Sequence, residues 1–141
     1  MRRRCEIILA VIGILLFSHA HLWGADWKEY AKTDRALLYY DVKSVARSSK
    51  DVVRVSEKRV FTVKGVIEVV RQPGFGKKYE TLSYATGLSE LQCADKKKRT
   101  LSIAWYSGDE KMLSSDSDQA SNWKFITPGS TAEVLHKILC K

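Results

Sequence analysis

Outside the leader, two thiols and one imidazole are the side chains best suited to nucleophilic chemistry. Cys140 stands four positions after His136, the spacing that brings two side chains to one helical face. A Cys–His pair of that kind can activate the thiol as a nucleophile. Oxidation is the competing fate. Cys5 lies inside a segment that reads as an export signal and leaves with it. That leaves Cys93 and Cys140 as the two thiols of an exported chain. Such a pair is expected to form one disulfide, tying a strand to the last helix.

Other chemistries find little support. No Gly-x-Ser-x-Gly turn nominates a nucleophilic serine. Gly74-Phe75-Gly76-Lys77-Lys78 lacks the spacing of a phosphate loop, and no Ser or Thr follows the lysines. Asp116-Ser117-Asp118 lacks the glycine and distant glutamate of an EF-hand. One histidine and two cysteines are too few for a metal cluster. The expectation is therefore no catalytic residue, no cofactor and no metal. His136 reads as a solvent-facing or dipole-satisfying side chain near a helix end.

Binding chemistry has one local candidate, the run Lys96, Lys97, Lys98 and Arg99. It is predicted to sit at a hairpin tip. There it is either a solvated turn or a docking point for an acidic partner. Tyr39, Tyr40, Tyr84, Trp105 and Tyr106 could add an exposed aromatic patch. Their alternation with aliphatic residues predicts that at least half of them pack in the core.

These residues must be positioned by strands and one clear helix. Asp26 to Ala31 and Leu37 to Tyr40 read as strands around a Thr33-Asp34 turn. Asp41 could cap a short helical turn, with a polar loop over Arg47 to Asp51. Val52 to Phe61 is a strand, with Val53 and Val55 on one face and Arg54, Ser56 and Lys58 on the other. Gly65 to Arg71 fits a helix or a strand, and Tyr79 to Tyr84 reads as a loop. Leu88 to Ala94, Arg99 to Tyr106 and Lys111 to Ser115 form an expected antiparallel meander. Asp116 to Asn122 is a polar loop. Ser130 and Glu133 make a capping box for a final helix whose apolar face carries Ala132, Leu135, Ile138 and Leu139. The predicted fold is α+β: an antiparallel sheet of about six strands with a C-terminal helix packed on one face.

The first 25 residues are expected to be a signal peptide. Arg2, Arg3 and Arg4 precede an apolar run from Ile7 to Phe17, and small residues follow. That run falls short of the roughly 20 apolar residues that span a membrane. No cysteine follows it closely, so lipid attachment is not expected. Residues 26–141 then form one domain. Losing Arg2, Arg3, Arg4 and Glu6 takes the net charge from +8 to +6. Export argues against a nucleic-acid partner despite that charge, and signal removal leaves no integral membrane segment.

Several blocks now fall into order. They are Glu90-Leu91-Gln92-Cys93, a basic turn, Trp105-Tyr106, Trp123-Lys124-Phe125-Ile126-Thr127-Pro128-Gly129-Ser130, and a short helix ending in Leu139-Cys140. Together with Tyr39-Tyr40-Asp41 and Val53-Arg54-Val55, this order resembles the surface-adhesin protein E family of Gram-negative bacteria. The resemblance implies an antiparallel sheet, a C-terminal helix packed on it and a disulfide joining the two. It also implies surface display, binding of host extracellular-matrix and plasma proteins, and a homodimer. The expected location is the periplasm or the outer cell surface. A periplasmic structural or stress-related role, and a small secreted hydrolase using a serine or His136, are the alternatives.

Overall fold

The computed structural model describes residues 24–117 and 122–141. The expected signal peptide, apart from Gly24 and Ala25, and the centre of the polar loop before Asn122 lie outside the described residues.

The chain runs through β1 (Trp27–Lys32), β2 (Ala36–Asp41), β3 (Ala46–Ser49), β4 (Val52–Phe61), α1 (Val63–Arg71), β5 (Leu82–Gln92), β6 (Lys97–Ser107), β7 (Met112–Asp116), β8 (Lys124–Phe125) and α2 (Thr131–Leu139). Single-turn 3₁₀ helices fill Val42–Ser44 and Gly76–Tyr79. The strands make one antiparallel sheet in the order β1-β2-β4-β5-β6-β7, with β3 added to β4 and β8 to β6. This is the α+β sheet with a C-terminal helix that the sequence predicts.

Three segments depart from expectation. Ala46–Ser49 is a strand, not part of a loop; all four residues are exposed, so no burial pattern announces it. β5 begins at Leu82, inside the expected Tyr79 to Tyr84 loop. Its pairing with β6 shifts register at Leu82/Tyr84 and at Leu88/Ser89, which breaks the period-2 signal. The ambiguous segment after Phe61 is a helix. Thr62 caps it by accepting from the Gly65 N–H at 3.2 Å, and Val66, Val69 and Val70 give it one apolar stripe.

Residues directly opposed across a ladder share a face, and the face alternates along each strand. The pairings Tyr40–Glu57–Gly87–Ile103 and Leu38–Arg59–Ala85–Trp105 therefore mark one face. Val53, Val55 and Leu91 belong to it as well. Both helices pack here. Leu135 of α2 meets Tyr40, Val55 and Leu91; Val69 of α1 meets Tyr79 and Leu82, with Phe61 and Trp105 against them. Leu91 and Leu135 are fully buried, each contributing roughly 2 kcal/mol.

Gly65 fixes how closely α1 approaches β2. A Cβ there would fall 2.1 Å from the Arg35 carbonyl oxygen, a backbone atom that cannot swing aside. Gly65→Ala is expected to cost about 2 kcal/mol through overpacking, outweighing the better helix propensity of alanine. Urea denaturation checks this as a lower midpoint at unchanged slope.

Candidate protein-binding face

The sheet face opposite the helices carries Tyr39–Lys58–Thr86–Ala104 as one cross-strand row and Val60–Tyr84–Tyr106–Met112 as the next. Arg54–Glu90–Arg99 forms a row nearer the β5–β6 turn. None of these residues joins either helix-bound core cluster. Of the five aromatic residues considered from sequence, only Tyr40 and Trp105 lie on the helix-bearing face. Tyr39, Tyr84 and Tyr106 stand half-buried on the open one, fewer core rings than the alternation predicts.

Cations seated on rings recur across this face. The Lys58 ammonium lies 4.6 Å from the Tyr84 ring centre and 5.9 Å from that of Trp27. Tyr84 in turn stacks on Tyr106, with centroids 4.9 Å apart and planes 14° apart. The Arg99 guanidinium lies 4.5 Å from the Trp123 ring centre, and Lys97 lies 4.8 Å from that of Phe125. Phe125 itself is 77% exposed. Such pairs hold charge and apolar surface together in fixed positions. That combination of amphipathic rings and arginine typifies protein contact surfaces.

Glu90 anchors the arginines. Its carboxylate is buried, accepting from Arg54 Nη2 at 2.8 Å and from Arg99 Nε at 2.8 Å through different oxygens. Burial alone would raise its pKa, but the hydrogen bonds from Arg54 and Arg99 prevail and lower it.

The basic run does not act as one unit. The turn occupies residues 93–96, and Lys96 takes a positive φ of 48°. Lys97, Lys98 and Arg99 already belong to β6 rather than to a charged tip, so the pleat sends them to alternate faces. Lys97 and Arg99 join the open face. Lys98 turns to the helix-bearing side, where its ammonium meets Glu57 at 2.6 Å. Glu57 also accepts from the Tyr30 hydroxyl at 2.8 Å. Desolvation raises the Glu57 pKa, yet Lys98, Ser89 and Tyr30 outweigh it and the net direction is down. The same burial and the Glu57 charge push the Tyr30 phenol upward.

Both carboxyls thus titrate below their ordinary value of 4.5 in the folded protein. Their stabilisation is complete above that value and is lost as pH falls through the lower folded values. Stability is expected to decline below about pH 4.5, and Glu90→Gln should flatten that decline while lowering stability at neutral pH. Denaturation midpoints across an acid series check it.

Cys93 and Cys140 are bonded, with Cα atoms 5.5 Å apart. Cys93 is the first residue after β5, and its N–H donates to the Asp51 carbonyl at 2.9 Å. Cys140 is the C-cap of α2, where φ −99° and ψ 55° have left the helical range. That departure is what lets a residue beside the apolar stripe reach the sheet. His136 Nε2–H donates to the Cys93 carbonyl at 3.0 Å across the same junction. The imidazole is thus a structural bridge, and the thiols are spent in the bond. Among the described residues no group of three or more His, Cys, Asp or Glu could hold a metal ion. No helix among them is long and apolar enough to cross a membrane.

Sequence reasoning missed Trp27, Lys58, Glu90 and Trp123 as site residues. Arg54 and Lys58 were legible as one face of a strand, but their partners depend on cross-strand register.

Solved structures with the same fold come from Haemophilus influenzae. Protein E from a non-typeable strain superposes with a TM-score of 0.53 at 15% identity, covering 81% of this chain and 74% of that one. A second structure of Haemophilus influenzae protein E gives 0.50 at 14% identity, over 81% and 83% of the two chains. Its crystal form II gives 0.51 at 14% identity, over 81% and 86%. No individual curated protein matches the chain. The family model for surface-adhesin protein E matches residues 27–141, from the first residue of β1 past the last helix. With sheet and terminal helix both inside that match, the chain belongs to the surface-adhesin protein E family.

Proposed function

We propose that residues 1–25 direct export and that residues 26–141 form a non-enzymatic adhesin-type domain that binds other proteins through its open sheet face. The observation that carries this reading is the set of ring-seated cations, Lys58, Lys97 and Arg99, on the face the helices leave free. Rings supply apolar contact area at little entropic cost, and arginine supplies directed hydrogen bonds. Family membership supports a protein partner and a surface role. Extracellular-matrix and plasma proteins are the proposed partner class, and the outer surface of a Gram-negative envelope is the proposed location.

Two measurements test it together. Protease shaving of intact cells should remove the domain, and purified residues 26–141 should bind immobilised matrix or plasma proteins saturably. Protection from shaving combined with no saturable binding would overturn the adhesin reading.

A further inference from the structure

The helix-bearing face also holds a cleft. Between α1 and α2 the sheet floor is uncovered. A hollow of about 100 Å³ and another of about 240 Å³ share Leu38, Arg59 and Phe61 as lining. Arg59 projects from the middle of β4 between Leu38 and Ala85. Every carboxylate that lines these hollows is already matched. Glu57 is held by Lys98 at 2.6 Å, and Glu68 by Arg35 at 2.7 Å. Among the described residues Arg59 itself has no carboxylate within ion-pair distance. Lys58 also borders the smaller hollow, but its ammonium sits over the Tyr84 ring on the open face. The exposed Arg59 is thus the cation without a carboxylate partner that the cleft can offer a ligand. Thr131, the first residue of α2, lines the larger hollow.

The lining is mixed: Thr33, Glu68 and Gln72 border the larger hollow, and its apolar part is Ala36, Leu38, Phe61 and Val69. Phe61 stacks on Trp105, centroids 5.8 Å apart and planes 17° apart. Trp105 and Ile103 line the smaller hollow, and Gly87 contributes no side chain to fill it. A cavity of about 150 Å³ accepts a benzene ring, so the larger hollow has room for a ring with a short acidic arm. A guanidinium grips a planar carboxylate through two parallel hydrogen bonds. A phosphate would call for more positive charge than this cleft has, and a neutral ligand would make no use of the Arg59 charge.

We propose that this interhelical cleft binds a small aromatic carboxylate, its acid on the Arg59 guanidinium and its ring in the larger hollow against Leu38, Phe61 and Val69. The same chemistry could arrive as a free acid or as the C-terminal phenylalanine of a peptide, and the test separates the two.

Phenylacetate is titrated into labelled residues 26–141, with the Trp105 indole and Arg59 Nε resonances followed by NMR. Saturable shifts at both are expected at millimolar ligand. Phenylacetamide should bind at least about tenfold more weakly, and so should phenylacetate to Arg59→Gln. Arg59→Lys should recover part of the loss, because the charge remains. Arg59 supports no internal ion pair, so both variants should keep the parent's thermal midpoint, which checks the fold. Acetyl-Gly-Phe with a free C-terminus forms the second arm. Binding as tight as phenylacetate assigns the cleft to chain ends, and weaker binding assigns it to free acids. Absence of saturable shifts with either acid, equal binding of the amide, or an unaffected Arg59→Gln would overturn the proposal.

Discussion

A Cys93→Ser/Cys140→Ser double variant is expected to lose about 4 kcal/mol of stability relative to the oxidised parent. The bond closes a loop of sequence separation 47, and in the chain-entropy treatment the cost falls on the unfolded state. The enclosed segment includes β6, β7, β8 and α2. Release of the bond therefore loosens the helix that buries Leu135 under the sheet. The loss should be partial, because Leu135 still meets Tyr40, Val55 and Leu91 and His136 still reaches the Cys93 carbonyl. Guanidinium denaturation of the oxidised, reduced and double-serine proteins provides the check. The reduced and serine forms should share one lowered midpoint. Equal stability of all three would mean that the bond carries no weight in the fold.

Lys98→Met is expected to cost about 3 kcal/mol, whereas Lys96→Ala should change stability by less than about 0.5 kcal/mol. The two lysines are neighbours in sequence and opposites in structure. Lys98 neutralises Glu57, whose side chain is only 16% exposed; Lys96 is exposed in the turn. Removing the ammonium leaves a largely buried carboxylate with hydroxyl partners alone. The Glu57 pKa then rises above its unfolded value, so the penalty is full at neutral pH and fades in acid. Adding Glu57→Gln to Lys98→Met should restore most of the loss, since the penalty belongs to the unmatched charge. A double-mutant cycle by urea denaturation at neutral and acid pH measures both effects. Equal, small changes at Lys96 and Lys98 would return the basic run to the status of a solvated turn.

What the sequence made legible depended on whether a local signal was complete. β4 announces both its faces, because Val53 and Val55 alternate with Arg54, Ser56 and Lys58 without interruption. α2 announces its start, because Ser130 accepts from the Glu133 N–H at 3.3 Å as the capping motif predicts. The glutamate side chain reaches one residue further than the motif describes, to the Gly129 N–H at 2.6 Å. β5 hides its first six residues behind Gly87 and two register shifts. The basic run misleads for a different reason. One left-handed residue, Lys96, ends the turn a position before Lys97, and a shift of one residue exchanges the faces of everything that follows. The Arg54–Glu90–Arg99 row was hidden because its members come from three strands. Only the turn lengths and bulges bring them into line.

The open sheet face as the protein-binding surface is the claim on which the functional account rests. Its most direct test is a solid-phase titration of residues 26–141 against the matrix or plasma protein that binds best. The parent is compared with Lys58→Ala/Tyr84→Ala on the open face and with Arg59→Gln on the helix-bearing face, all at matched thermal stability. The account predicts at least about tenfold weaker binding for the open-face variant and parent-like binding for Arg59→Gln. Parent-like binding by Lys58→Ala/Tyr84→Ala, with loss confined to the helix-bearing face, would contradict it.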